Sequence, residues 1–570
     1  MPPAALPDRP WHGLRQPGGR TSSPVAGSAP SATYDEPVTT APPAPAVVVP
    51  SRTPAPLADA HRERLRERLV PAFPDGGWRS WVGPLVVSAF AGFLRFWHLG
   101  TPHAFVFDET YYAKDAFSLL RFHYERNFVD DANDKILAGN LDVFRPSGEY
   151  VVHPPLGKWV IASGEQLFGV NPFGWRFSVA VLGTVMVLVL ARVVRRMTRS
   201  TLIGTIAGFL LAIDGLHLVL SRTALLDLPL SFFVLLAFAA LVLDRDRTRK
   251  KVADRLDSFY DSSRGAGFGF RPWLLAAGVL LGMACAVKWS ALWYLVAFAA
   301  LAWYWDIGLR RLIGVRHPWL GAITRDALPT FLLTIPVAVV VYVASWWGWL
   351  TTSGGYDRDW ADTHPATGLS RFVPDALRSL WNYHAQAYHF HVTLDSPHEY
   401  MSHPAGWLLL SRPVSFFYES PKKGHDGCTV ATCAREILAL GNPVIWWGGI
   451  IALLVMVWLV VSRLDWRAGA ALVGVAAGLL PWFHYSNRTI FSFYSVAFVP
   501  FLVMAVALML AWVLGPPEAT PMRRTIGATV VGMYVLVALI AFASLWPIFT
   551  AGVIPYEQWW ERLLRLQFWV

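Results

Sequence analysis

Charge is scarce in this chain. Of its 570 residues, 15% are Asp, Glu, Lys or Arg, against ~25% in an ordinary soluble domain. That excludes a large soluble enzyme, and the 54% of hydrophobic residues excludes a disordered protein. Cysteine is scarcer still: three residues cannot build a disulfide scaffold. Lysine is rare within the basic set, with 8 Lys among 49 Lys+Arg and therefore 41 Arg. Against 39 Asp+Glu the net charge is +10. A basic balance can mark a nucleic-acid partner. In so apolar a chain (mean hydropathy +0.39), the Lys/Arg excess of cytoplasmic loops in membrane proteins explains it better, and no nucleic acid is expected. What is abundant is aromatic: 14% of the chain, with 28 Trp.

Residues 1 to about 60 are rich in Pro, Ala, Ser and Thr and lack apolar periodicity. Such a stretch cannot bury enough surface to offset its ordering entropy, so a disordered cytoplasmic tail is expected. It also lacks the apolar core of a cleavable signal peptide. The run His61 to Arg68 then reads as a short amphipathic helix at the membrane surface. The domain proper is expected over 61–570.

A bilayer core of ~30 Å needs about 20 apolar helical residues. Eleven segments qualify, near 81–98, 174–194, 201–220, 225–243, 272–288, 290–305, 328–348, 443–462, 468–485, 493–514 and 526–547. With the N-terminus inside, five short inner loops carry the arginines, from Arg192–Arg199 to Arg523–Arg524. An odd span count puts the C-terminus outside. Two outer loops are long, about 99–173 and 350–441, and loops of that length usually serve a function. Within the first, Lys158-Trp159-Val160-Ile161-Ala162 reads as part of a helix lying in the outer interface.

Four sets of residues can carry chemistry. Asp108 and Glu109 sit side by side just beyond the first span. On a helix, neighbours point about 100° apart, so one can face a reaction while the other holds structure. A bare pair can equally be a helix cap. His153-Pro154-Pro155-Leu156-Gly157-Lys158 fixes the backbone before the interfacial helix; His153 can face substrate or merely close a turn, and Lys158 reads as snorkelling toward headgroups. Arg176, Arg222, Lys288 and Arg488 all fall at outer ends of spans, against the charge rule. A shared anion would explain all four; so would separate pairings, such as Arg222 with Asp227, while Lys288 has no acid close by in sequence. Finally, the second loop is dense in His and aromatics, with His391, His398 and Trp407 as candidates for a substrate groove; no compact metal-ligand set follows. Cys428 and Cys433 lie in the same loop, where an oxidising exterior permits a disulfide or leaves two free thiols.

These motifs resemble the protein O-mannosyltransferases, class-C glycosyltransferases that use a polyprenyl-phosphate sugar. Phe107-Asp108-Glu109 resembles the family's Asp-Glu motif in its first external loop. His153 to Lys158 resembles the segment ending that loop. Ser221-Arg222-x-x-Leu225-Leu226-Asp227 and Lys288-Trp289 resemble later signatures, and Arg488 to Tyr494 resembles a late basic-plus-aromatic segment. The resemblance covers roughly residues 80 to 560. It implies an all-α polytopic membrane protein with the GT-C fold, about 11 transmembrane helices and two long external loops. The second loop has no room for the β-trefoil of eukaryotic members, which points to the bacterial, actinobacterial branch.

The resemblance implies transfer of mannose from a polyprenyl-phosphate mannose to Ser/Thr hydroxyls of exported proteins, at the outer face of the cytoplasmic membrane and with anomeric inversion. Asp108 would be the general base, and Glu109 would orient the site or the acceptor. Arg176 and Lys288, then Arg222 and Arg488, would stabilise the leaving lipid phosphate. No metal or other cofactor is obligatory in that scheme, although a divalent cation could bind the Asp-Glu pair. Membrane lipids and the protein secretion channel are the remaining expected partners. The nearest alternative is a class-C transferase modifying a lipid or cell-wall polysaccharide. A secondary transporter fits less well, since the ionisable residues gather at one face and no internal repeat is visible.

Overall fold

The computed structural model describes residues 59–74 and 76–569; the expected tail, 1 to about 60, falls almost wholly outside the described residues. The first helix, α1 (Asp59–Leu69), is the expected amphipathic one. Its apolar residues Leu65 and Leu69 are buried on Val252, Leu256 and Phe259 of the protein itself.

Each expected apolar segment is helical. In chain order they follow α2 (Arg79–Phe96), the loop helices α3 (Glu109–Phe122) and α4 (Leu156–Phe168), then α5 (Pro172–Thr198), α6 (Thr201–Ala212), α7 (Asp227–Ala253), α8 (Pro272–Cys285), α9 (Ala291–Leu312) and α10 (Leu328–Ser345). After α11 (Asp375–Thr393), in the second loop, come α12 (Pro443–Arg463), α13 (Trp466–Leu479), α14 (Val499–Leu514) and α15 (Pro521–Phe549). Among the described residues, seven stretches are long and apolar enough to cross a membrane unaided. α6, α8 and α14 are apolar but shorter.

The short ones have visible causes. The segment 201–220, expected as one span, breaks at Asp214. That buried carboxylate caps a second helix, Gly215–Leu220, by accepting from the His217 N–H at 2.9 Å. It also accepts from Asn442 N–H and Trp446 Nε1, so three donors replace the water it has lost. α14 is continued at its start by a 3-10 turn, Ser492–Ala497.

α14 and α7 form the interior, and α10 and α15 the rim: 78% of the apolar window of α7 is buried, against 17% in the α10 stretch and 22% in α15. An apolar helix that leaves so much surface uncovered is suited to lipid, where exposed Leu and Val cost nothing. α8 packs between α7 and α10. Gly278 and Gly282, four apart, make this approach possible: a Cβ at Gly278 would stand 2.2 Å from the Leu333 carbonyl oxygen, and one at Gly282 2.8 Å from the Ala338 Cα.

The long loops add small sheets. β1 (Arg126–Phe128) pairs antiparallel with β2 (Phe144–Gly148). β3 (Val414–Glu419), β4 (Cys433–Ala439) and β5 (Ile554–Pro555) form a second sheet in that order. Cys428 and Cys433 are joined by a disulfide at the β3–β4 connection. The second loop is sewn onto the stretch before α14: Thr489 N–H donates to the Leu394 carbonyl at 3.1 Å, Ser402 N–H to the Ile490 carbonyl at 3.0 Å, and Ser492 Oγ to the Arg412 carbonyl at 3.0 Å.

Candidate active site

Asp108 occupies the N-cap of α3, directly after Phe107, whose φ is +50°. A bulky residue in that region costs on the order of 1–3 kcal/mol. The Phe107 ring offsets the strain by stacking on Phe416 at 4.7 Å and meeting Phe493 edge-on at 5.6 Å. The turn gives the two carboxylates different surroundings. Glu109 is fully buried. Its Oε1 accepts from Arg176 Nε at 2.8 Å and Ala224 N–H at 2.9 Å; its Oε2 accepts from Arg176 Nη2 at 2.7 Å and Val106 N–H at 2.9 Å. Its acceptor sites are therefore taken, which suits it to orient the site by holding α3 and leaves nothing for an acceptor. Asp108 is only partly buried, and among the described residues nothing donates a hydrogen bond to its carboxylate. Burial pushes its pKa up to about 6; Lys288 opposes the shift and Asp227 adds to it.

The four basic residues divide the same way. Arg176 is 1% exposed. Besides Glu109, it donates through Nη1 to the Leu99 and Pro102 carbonyls and through Nη2 to that of Ala104. All five N–H groups are taken, so Arg176 cannot hold a lipid phosphate as expected. Arg222 does not pair with Asp227. Its Nη1 donates to the carbonyls of Leu94, Arg95 and Trp97 at 3.0, 2.8 and 2.7 Å, closing the C-terminal end of α2. Those are the carbonyls a helix end leaves bare, and a cation there also suits the helix dipole. Arg222 is thus a helix cap through Nη1. Lys288 does have an acid, Asp227 at 2.8 Å from its Nζ, and lies 5.1 Å from the Tyr494 ring centroid.

Arg488 is different. It is partly buried, its Nε is buried without a hydrogen-bond partner, and among the described residues no ion pair engages its guanidinium. Its charge and that of Lys288 act on the same neighbours, His153 and His391. Those rings stack at 5.2 Å, and Tyr112 lies 6.2 Å from His153. Both imidazoles are neutral: burial, then the nearby cations, hold His153 well below its usual range, and burial takes His391 down to about 4. His391 Nε2 donates to the Val152 carbonyl at 2.9 Å, leaving Nδ1 buried and unpartnered.

Of the other loop candidates, His398 is exposed and meets Phe491 edge-on at 5.0 Å. Trp407 is buried, donates to Ser402 Oγ at 2.9 Å and packs beside Trp482. It is part of the core, so its assignment to a groove is corrected. Lys158 does not snorkel. It is 1% exposed, paired with Glu125 and 3.7 Å from Asp115. Sequence reasoning missed the role of Asp227 as the lysine's partner. It also missed the support of Trp289, whose Nε1 donates to Tyr342 Oη at 2.9 Å; that hydroxyl meets His384 Nε2 at 2.5 Å. These residues come from separate segments of the chain, and no local pattern joins them.

The chain matches known families along most of its length. Residues 85–350 match the family described as dolichyl-phosphate-mannose-protein mannosyltransferase, and residues 376–508 match the C-terminal four-span region of protein O-mannosyltransferases. The chain is 37% identical over 537 residues to the polyprenol-phosphate-mannose–protein mannosyltransferase of Mycobacterium tuberculosis, covering 92% of this chain and 96% of that one. The chain belongs to this mannosyltransferase family. The mannosyltransferase of the same description from Corynebacterium glutamicum is 31% identical, with 90% of this chain and 99% of that one covered. Among solved structures, the yeast protein O-mannosyltransferase Pmt1–Pmt2 complex bound to the sugar donor aligns with a TM-score of 0.65 at 15% identity, covering 90% of this chain and 94% of that chain. The GT-C fold of these mannosyltransferases is therefore shared at low identity. The two matched stretches divide the site between them: Asp108, Glu109 and Lys288 lie in the first, His391 and Arg488 in the second.

Proposed function

We propose that this membrane protein transfers mannose from a polyprenyl-phosphate mannose to Ser or Thr hydroxyls of exported proteins. The reading rests on family membership and on one observation above all. A carboxylate without a hydrogen-bond donor, Asp108, and a cation without a counter-ion among the described residues, Arg488, both act on the Tyr494 side chain. A buried guanidinium N–H without a partner is costly, and a phosphate oxygen is the acceptor this reaction would bring to it.

Asp108 takes the acceptor's proton as the hydroxyl oxygen attacks the anomeric carbon. The bond from that carbon to the phosphate oxygen breaks, and the electron pair leaves with the lipid phosphate. Displacement in one step inverts the anomer. Arg488 and Lys288 meet the charge that grows on the phosphate, as fixed groups that need no reorganisation. Arg488 can do so through a planar fork and Lys288 as a point charge. Asp227 holds one Lys288 N–H and leaves two for the substrate.

The same reading places the loop-bearing face outside the cytoplasmic membrane and the N-terminus inside, since the arginine-rich ends of the spans are opposite the site. Purified protein given labelled polyprenyl-phosphate mannose and a Ser/Thr peptide should label the peptide. Label passing to lipid or polysaccharide instead would overturn the acceptor class while leaving the donor in place.

A further inference from the structure

One cavity lies away from the candidate active site. It has a volume of about 930 Å³ and lies at the opposite ends of the spans, between the α5–α6 turn, the α12–α13 turn and the α14–α15 turn. The volume lies within the range of about 300–1,000 Å³ common for ligand pockets. Its floor is apolar and buried, with Met456, Leu459 and Leu508. Its rim carries Arg199, Arg463, Arg467, Arg523 and Arg524, against a single acid, Asp465.

That acid is already engaged. Arg467 grips Asp465 at 2.6 Å, and Arg199 turns to Asp246 at 3.3 Å outside the cleft. Arg463 lies over the Trp458 ring at 5.2 Å and Arg524 is exposed; neither has an acidic partner among the described residues. The positive-inside rule accounts for arginines at this end of the spans. It does not account for their convergence on one cleft with an apolar floor. Water would leave that floor poorly solvated. A ligand with a negatively charged head and acyl chains satisfies both halves at once.

We propose that this cleft binds the headgroup of an anionic phospholipid from the leaflet opposite the active site. Its phosphodiester meets Arg463 and Arg524, and its chains lie along Leu459 and Leu508. The site requires only that the chain spans a membrane, and it is separate from the mannosyl-transfer machinery.

The test uses the full-length protein purified in a zwitterionic detergent and exposed to mixed micelles of phosphatidylglycerol or phosphatidylcholine with matched chains. Retained lipid is counted by native mass spectrometry. The wild type should retain phosphatidylglycerol at least tenfold better than phosphatidylcholine. R463Q/R524Q should lose most of that preference, and R463K/R524K, which keeps the charge, should hold most of it. Mannosyl transfer by the Gln variant in detergent should match the wild type, which shows that it is folded. Equal retention of the two lipids overturns the proposal, as does full retention by the Gln variant. Displacement of the lipid by millimolar inorganic phosphate would make the ligand a soluble phosphate and would equally overturn it. If the Gln variant does not fold, loss of phosphatidylglycerol from A511W, which fills the cleft without changing charge, supports the site; full retention by A511W overturns it.

Discussion

Four fixed donors hold the Glu109 carboxylate, and among the described residues none holds that of Asp108. Their substitutions should therefore fail in different ways. Asp108→Asn should lower turnover by about 10²–10⁴-fold, the usual contribution of a positioned base, with no loss of thermal stability. The sign of the latter follows from linkage. An acid raised from 3.8 to about 6 binds more protons folded than unfolded. Its ionisation thus costs the fold stability as pH rises between those values, and above about pH 6 the Asn variant should unfold no earlier than the wild type. The activity of the wild type should rise through about pH 6 and then level off. His153 and His391 are already neutral there and do not supply that limb. Glu109→Gln should instead lose stability, by about 3–5 kcal/mol, because it leaves the Arg176 charge buried and unpaired; a thermal melt reads this directly. Arg488→Ala should lower kcat/KM for the lipid donor about 10–100-fold, the worth of a charged hydrogen bond, and leave the melting temperature near the wild-type value. Unchanged donor kinetics would remove Arg488 from the site.

Elements set where these residues stand. Lys288 lies in the short turn between α8 and α9, so its height depends on how closely α8 lies on α10. Gly278 and Gly282 set that distance. Gly282→Leu should push the two helices apart, lower the melting temperature and raise the KM for donor lipid, although residue 282 touches no substrate; an unchanged KM would show that the turn is placed by something else. The α3–α4 pair in the first loop is held by a buried charge cluster: Lys158 with Glu125 and Asp115. The Cys428–Cys433 link closes only a five-residue separation, so removing it with C428S/C433S should cost about 2 kcal/mol and spare transfer, as measured by melting and by peptide labelling.

At the scale of the molecule, eleven expected segments and the helices that answer them agree in number and order, while among the described residues seven pass a strict test of length and hydropathy. The shorter ones stand in the interior or are broken by a satisfied polar group, as at Asp214. A buried helix does not need to match the bilayer by itself. Orientation is open to a direct check. A cysteine placed at Glu399 in the second loop should react with a membrane-impermeant maleimide in intact cells, and one at Arg247, on the arginine-rich side, only after lysis. The reverse pattern would invert the proposed topology.

Much of this was legible in the chain. Long apolar runs and the sidedness of arginine determine a multi-span helical protein and which two loops are long, because the partition of each residue between lipid and water depends on little beyond its own neighbours in sequence. Asp108 stood out for the same local reason, as a charge just beyond a span. Three-dimensional packing decided the division of labour. Arg176, Arg222, Lys288 and Arg488 look alike as charges at span ends, yet one is a clamp for Glu109, one a helix cap, one the partner of Asp227, and one unpaired. Trp407 and Lys158 look like surface residues and are buried. What a charge does is set by the donors and acceptors that distant segments bring within about 3 Å of it, and those distances exist only once the helices have packed.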